Sequence, residues 1–166
     1  MVGCPEGCDR IIMFITIVSV GSPKDEHVQK LTDRYLERIK KYSAISLKTI
    51  RQEPLTSNSE ISALRKEAKK LAELMEGCYN IVLDKGGNTM SSELFANFLN
   101  KRIISGIKIM NIIIGGPIGI DSSVKQRADT VLSLSPMTFP HELTMVIIAE
   151  QIYRAFSIMH GLPYHK

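Results

Sequence analysis

Ile109-Met110-Asn111-Ile112-Ile113-Ile114-Gly115-Gly116-Pro117-Ile118-Gly119 decides the reading of this chain, because it passes directly from a β-branched apolar run into a glycine-rich turn. The run predicts a buried strand over Ile109–Ile114. Paired glycines permit positive φ and let a flat ligand approach the backbone, while Pro117 stiffens the turn. As residue types alone, the same glycines suit a plain chain reversal better than a ligand site.

The pattern recurs on both sides. Upstream, Asn80-Ile81-Val82-Leu83 predicts a short strand ending in a loop, Asp84-Lys85-Gly86-Gly87, and Ser91-Ser92-Glu93 opens a helix to about Ile104. Downstream come a short helix near Ser122 to Ala128, a last strand from Val131 to Leu134, and a loop from Ser135 to Phe139. Pro140, at a first-turn position, then opens a helix to about Met159.

The N-terminal half repeats the alternation. Ile11 to Val20 reads as a strand closed by Gly21-Ser22-Pro23. Val28, Leu31, Tyr35, Leu36 and Ile39 lie at helical spacing between Glu26 and Tyr42. A second strand, Ile45 to Ile50, leads through a polar loop, Glu53 to Ser59, to a helix from Ile61 to Met75 closed by Gly77. That loop is the expected flexible segment. Strands alternating with helices predict an α/β fold, a mostly parallel sheet flanked by helices on both faces.

At 166 residues and 44% hydrophobic content, one compact domain is expected over residues 11–166, preceded by a disordered extension over 1–10. Three cysteines make no disulfide framework and suit a reducing, cytoplasmic setting. Cys4 and Cys8 lack a second Cys/His pair at ligand spacing, so no metal is expected. No apolar run is long enough to span a bilayer, and no export signal precedes the first strand. A net charge of +4 permits a polyanionic partner without requiring one.

Open α/β sheets bind ligands beyond the carboxyl ends of their strands. Three such ends stand out: Leu83 to Gly87, Gly115 to Gly119, and Leu134-Ser135-Pro136-Met137-Thr138-Phe139. The glycine run matches neither a dinucleotide fingerprint nor a P-loop. His141-Glu142 starts a zinc-binding pattern, but Met145 stands where the second histidine is required. No nucleophile elbow is present. On the last helix Met145, Ile148, Ile152, Ala155, Phe156 and Met159 form a core stripe. Glu150 and Arg154 are an i,i+4 pair, and Arg154, His160, Tyr164, His165 and Lys166 gather donors near the C-terminus.

Four stretches stand in a specific order and spacing: Ile112 to Gly119, Leu132-Ser133-Leu134-Ser135-Pro136-Met137-Thr138-Phe139-Pro140-His141, Glu150-Gln151-Ile152-Tyr153-Arg154-Ala155, and a final Pro163-Tyr164-His165. Together they resemble the bacterial ribosomal RNA large subunit methyltransferase H family of the SPOUT class, from about Phe14 to Lys166. The resemblance implies an α/β knot fold, whose C-terminal segment threads a deep trefoil knot. It implies S-adenosylmethionine as cofactor, held by Leu83, Gly115 and the loop Leu134, Ser135, Pro136, Met137, Thr138 and Phe139. It further implies a homodimer that acts on the ribosome, methylating N3 of a pseudouridine in helix 69 of large-subunit ribosomal RNA. Arg154, Tyr164 and His165 match the family's RNA-binding and catalytic residues, with His165 the titratable candidate for the N3 proton. Ile118 departs from the pattern, since other members often carry an acidic residue there. The competing expectations are a transfer RNA methyltransferase of the same fold, which is expected to need an added RNA-binding domain, and a ribosome-binding factor without turnover.

Overall fold

The computed structural model describes residues 13–54 and 60–165, the side chain of His165 excepted. The extension with Cys4 and Cys8, most of the polar loop over 53–59 and the His165 side chain lie outside the described residues.

Five strands, β1 (Phe14–Val20), β2 (Ala44–Ile50), β3 (Tyr79–Thr89), β4 (Ile109–Ile114) and β5 (Thr130–Ser133), pair in parallel in the order β2-β1-β4-β3-β5. Five helices connect and follow them: α1 (Glu26–Ile39), α2 (Glu60–Met75), α3 (Ser92–Ile104), α4 (Ser122–Gln126) and α5 (His141–Met159), with a 3₁₀ turn at Pro163–His165.

Strands covered on both faces must be largely apolar on both faces, which is why β1 and β4 are hydrophobic but for Thr16, Ser19 and Asn111. Ile15, Ile17, Met110, Ile112 and Ile114 join the core beneath α1, α3 and α5. Val18, Val20 and Ile113 point the other way, onto α2 and α4. Asn111 interrupts this pattern for a reason. Its Nδ2 donates to Leu74 O at 2.8 Å and Asn80 Oδ1 at 3.1 Å, while Asn80 Nδ2 donates to Met75 O at 2.9 Å. The two amides tie the end of α2 to β3 and β4, and each donor is satisfied where it is buried.

Several elements depart from the sequence expectation. α1 stops at Ile39 instead of Tyr42, because the N–H groups of Tyr42 and Ser43 both return to Ile39 O and the Tyr42 ring stacks on Phe156. Pro140 is the N-cap of α5 and not a first-turn residue; its ψ of 143° is extended. β3 does not end at Leu83. It runs on to Thr89 past an irregularity in which Leu83 and Asn88 both face Leu132 of β5. Gly87 makes this possible: a Cβ there would stand 2.7 Å from the Val131 backbone.

Candidate active site

β4, β3 and β5 are neighbours in the sheet, so the three loops picked out by sequence lie side by side. They surround a cavity of about 780 Å³, closed on one side by Pro140, His141 and Thr144 at the start of α5. Leu83, Gly115, Leu134, Ser135, Met137, Thr138 and Phe139 all line it, whereas Pro136 does not. The volume and the apolar wall with exposed loop backbone fit a cofactor-sized ligand.

The loops are built to stay open. A Cβ on Gly115 would fall 2.4 Å from Ile120 Cγ1 and 2.9 Å from Gly119 O, so this glycine is required by the return of its own turn. That turn is locked by Gly119 N–H donating to Gly116 O at 2.9 Å, with Gly119 at φ +89°. In the β5 loop, Ser133 Oγ donates to Ser135 O at 2.9 Å, and Ser135 Oγ accepts from Met137 N–H at 3.0 Å. On β3, Asp84 accepts from Gly86 N–H at 2.9 Å and from Lys125 Nζ at 3.1 Å. Burial alone pulls the Asp84 carboxyl upward, but those donors outweigh it and hold the group below the usual carboxylate range.

Asp84 and Lys85, within the strand end from Leu83 to Gly87 that the sequence marks, also line the cavity, whereas Ile120, His141 and Thr144 are wall residues that the sequence reading lacks. His141 was weighed only as half of a metal pattern. Among the described residues no group of three or more His, Cys, Asp or Glu side chains is placed to hold a metal ion, and no helix is long and apolar enough to cross a membrane.

Arg154 and Tyr164 form a second cluster. The Arg154 guanidinium lies 5.0 Å from the centroid of the Tyr164 ring and pairs with Glu150 at 2.6 Å, which raises its pKa above the ordinary arginine value. Tyr164 packs edge-on to Tyr153 at 4.7 Å, and its hydroxyl meets that of Tyr35 at 3.4 Å. Burial, with the Tyr35 contact, pushes the Tyr164 phenol up to about 12. This cluster is not at the cavity of its own chain. Thr144 lines the cavity and Arg154 follows ten residues later on the same helix, a separation of about 15 Å along the axis at ~1.5 Å per residue.

A family model described as predicted SPOUT methyltransferase matches residues 13–165. The chain belongs to the SPOUT methyltransferases. Within this family it is 39% identical over 159 residues to the ribosomal RNA large subunit methyltransferase H of Acetivibrio thermocellus, covering 93% of this chain and all of that protein. It is 38% identical over 159 residues to the enzyme of the same name from Carboxydothermus hydrogenoformans, with the same coverage. These matches place the SPOUT chain in the large subunit methyltransferase H family. Among solved structures, a probable methyltransferase from Bordetella pertussis superposes with a TM-score of 0.54 at 13% identity, over 88% of this chain and 95% of that one. A tRNA (m1G37) methyltransferase from Aquifex aeolicus superposes with a TM-score of 0.54 at 12% identity, over 86% of this chain and 69% of that one. Both likenesses concern the fold alone. Family membership implies the C-terminal knot; the strand pairing itself displays the five-stranded parallel sheet.

Proposed function

We propose that this SPOUT methyltransferase moves the methyl group of S-adenosylmethionine to N3 of a pseudouridine in helix 69 of large-subunit ribosomal RNA. It acts in the cytoplasm as a homodimer, with residues 11–166 as one domain and 1–10 as an extension. The observation that carries the reading is the cavity at the adjoining ends of β4, β3 and β5, in a chain that aligns with ribosomal RNA large subunit methyltransferases H over their full length.

Leu83, Gly115 and the loop from Leu134 to Phe139 would hold the cofactor, which supplies a methyl group already activated on a sulfonium. Pro136 would act through the shape of that loop, since it does not line the cavity. The protein's task is alignment of donor and acceptor and exclusion of water.

The homodimer is supported by distance. Arg154 stands too far along α5, and Tyr164 lies beyond its end in the 3₁₀ turn, so neither lines the cavity of its own chain, and the complete site pairs the cavity of one copy with Arg154, Tyr164 and His165 of the other. There Arg154, held by Glu150, stabilises the charge developing on the imide as the N3 proton leaves. Tyr164 remains a phenol at neutral pH and donates a hydrogen bond. His165 takes the proton.

Transfer of labelled methyl from S-adenosylmethionine to ribosomes lacking the modification, with free large-subunit RNA and transfer RNA as controls, tests the reading. Label in the helix 69 pseudouridine is the expected result. Label in transfer RNA alone overturns the substrate, and cofactor binding without label anywhere overturns the activity.

A further inference from the structure

Arg38 of α1 carries a charge that no carboxylate among the described residues meets. Its guanidinium carbon lies 5.7 Å from the Tyr35 ring centroid and 5.4 Å from that of Tyr153, so it is held in the seam between α1 and α5. Arg154, by contrast, is neutralised by Glu150. One turn before Arg38 on α1 stands Arg34, with Tyr35 beside it, and Lys41 and Tyr42 follow in the turn after the helix. Arg34 and Lys41 are exposed and make no ion pair among the described residues, and the nearby Glu37 is taken by Lys40 at 2.5 Å.

Like charges at i and i+4 repel, so Arg34 and Arg38 on one helix face weaken the free protein slightly. An anion that meets them reverses the sign of that effect. Arg38 is also fixed in place before any ligand arrives: a planar guanidinium braced by two rings keeps its outer N–H groups in a fork that matches phosphate oxygens. Arg34 and Arg38 lie one turn, about 6 Å, apart on α1, and Lys41 extends the positive face into the turn that follows the helix. Tyr35 links this face to the hydroxyl of Tyr164. In the two-copy site the cations therefore sit beside the group that meets the partner's cavity, where a nucleic acid strand must enter.

We infer that Arg34, Arg38 and Lys41 form a face that binds the backbone phosphates of the RNA substrate, with Arg38 as its preset centre. The inference rests on the proposed reading for the two-copy site and for which RNA is bound. Phosphate contacts position a strand without reading its sequence, and each one releases counterions that make affinity depend on salt.

The test measures the affinity of the full-length protein for ribosomes lacking the modification as a function of potassium chloride concentration. Arg38→Gln, which removes the charge, is expected to weaken binding and to lower the slope of log K against log salt by about one. Arg38→Lys keeps the charge and the slope. Lys70→Gln, on α2 and the other side of the sheet, keeps the slope too. Calorimetric affinity of Arg38→Gln for S-adenosylmethionine stays at the wild-type value. Should Arg38→Gln fail to fold, Arg34→Gln and Lys41→Gln at exposed positions read the same slope. An unchanged slope in the charge-removing variants overturns the phosphate face, even if ribosomes are methylated. A lowered slope with no methylation of ribosomes leaves the face standing and overturns the substrate.

Discussion

Arg154 gives both Nε, at 2.9 Å, and Nη2, at 2.6 Å, to the single oxygen Oε1 of Glu150. The other carboxylate oxygen accepts from Gln151 Nε2 at 2.7 Å, and Gln151 Oε1 in turn accepts from Ser92 Oγ at the start of α3 at 2.8 Å. Arg154 is therefore aimed by a chain of side chains that reaches a neighbouring helix. Glu150→Gln keeps the size of the side chain and removes its charge. Because small misplacements of reacting groups are costly, kcat is expected to fall on the order of ten- to a hundredfold, with calorimetric affinity for S-adenosylmethionine unchanged. Equal loss of both would place Glu150 in the general stability of the fold instead.

Tyr164 gives a prediction in alkali. Its pKa is raised from 10.0 to about 12 by burial, the Tyr35 hydroxyl adding to it. The folded protein holds this proton more tightly than the unfolded chain does. The associated stability is complete below pH 10 and is lost as pH climbs toward 12. Ultraviolet difference titration of wild type against Tyr164→Phe is expected to show the missing phenolate ionising near 12, with the variant losing less stability over that interval. A missing phenolate at the ordinary 10 would contradict the buried placement.

Thr138 is exposed on the cavity wall, so Thr138→Arg fills the space without breaking packing. Calorimetry is expected to show loss of S-adenosylmethionine binding, with stability changed by no more than about 0.5 kcal/mol. Gly115 is the wrong place for this experiment, because even a methyl group there collides with Ile120 and dismantles the turn. Retained binding by Thr138→Arg would move the cofactor elsewhere.

Asn111→Ala removes two hydrogen bonds and strands the Leu74 carbonyl and Asn80 Oδ1. Leaving such groups unpaired where they are buried costs about 1–3 kcal/mol each. Denaturant unfolding is expected to report a loss at or above the lower end of that range. A change within error would mean that the amide pair does not anchor α2.

What was legible in the sequence was what local chemistry dictates. Ile109–Ile114 ends at glycines because the chain must turn there, and the cap Ser91 announces α3. The alternation of strand and helix conveyed the parallel sheet. Its order was hidden, since nothing local makes β1 lie beside β4 and β3 beside β5. The continuation of β3 to Thr89 was hidden for the same reason: Asn88 pairs with Leu132, forty-four residues away in sequence, and only that partner makes it a strand. Among the site residues, the cavity loops could be found because glycine and proline mark strand ends. Arg154 and Tyr164 could be named, but their distance from the cavity follows from the length of α5, which the sequence reading did not connect with the site. His141 escaped because a histidine at a helix start has no distinctive local signal; its buried Nε2, with no partner among the described residues, emerges only in three dimensions.

In the proposed mechanism one methyl-transfer site is built from two copies of the chain. In that arrangement Thr138→Arg removes the cavity and Arg154→Ala the cluster that completes it, so each variant alone is expected to be inactive on ribosomes. Refolded together in equal amounts, they form mixed dimers in which one cavity and one cluster, from opposite chains, are both intact. Methyl transfer by the mixture is expected to recover to roughly a quarter of the wild-type rate, as random pairing of a symmetric dimer dictates. A mixture that forms mixed dimers and stays inactive would contradict the two-chain site.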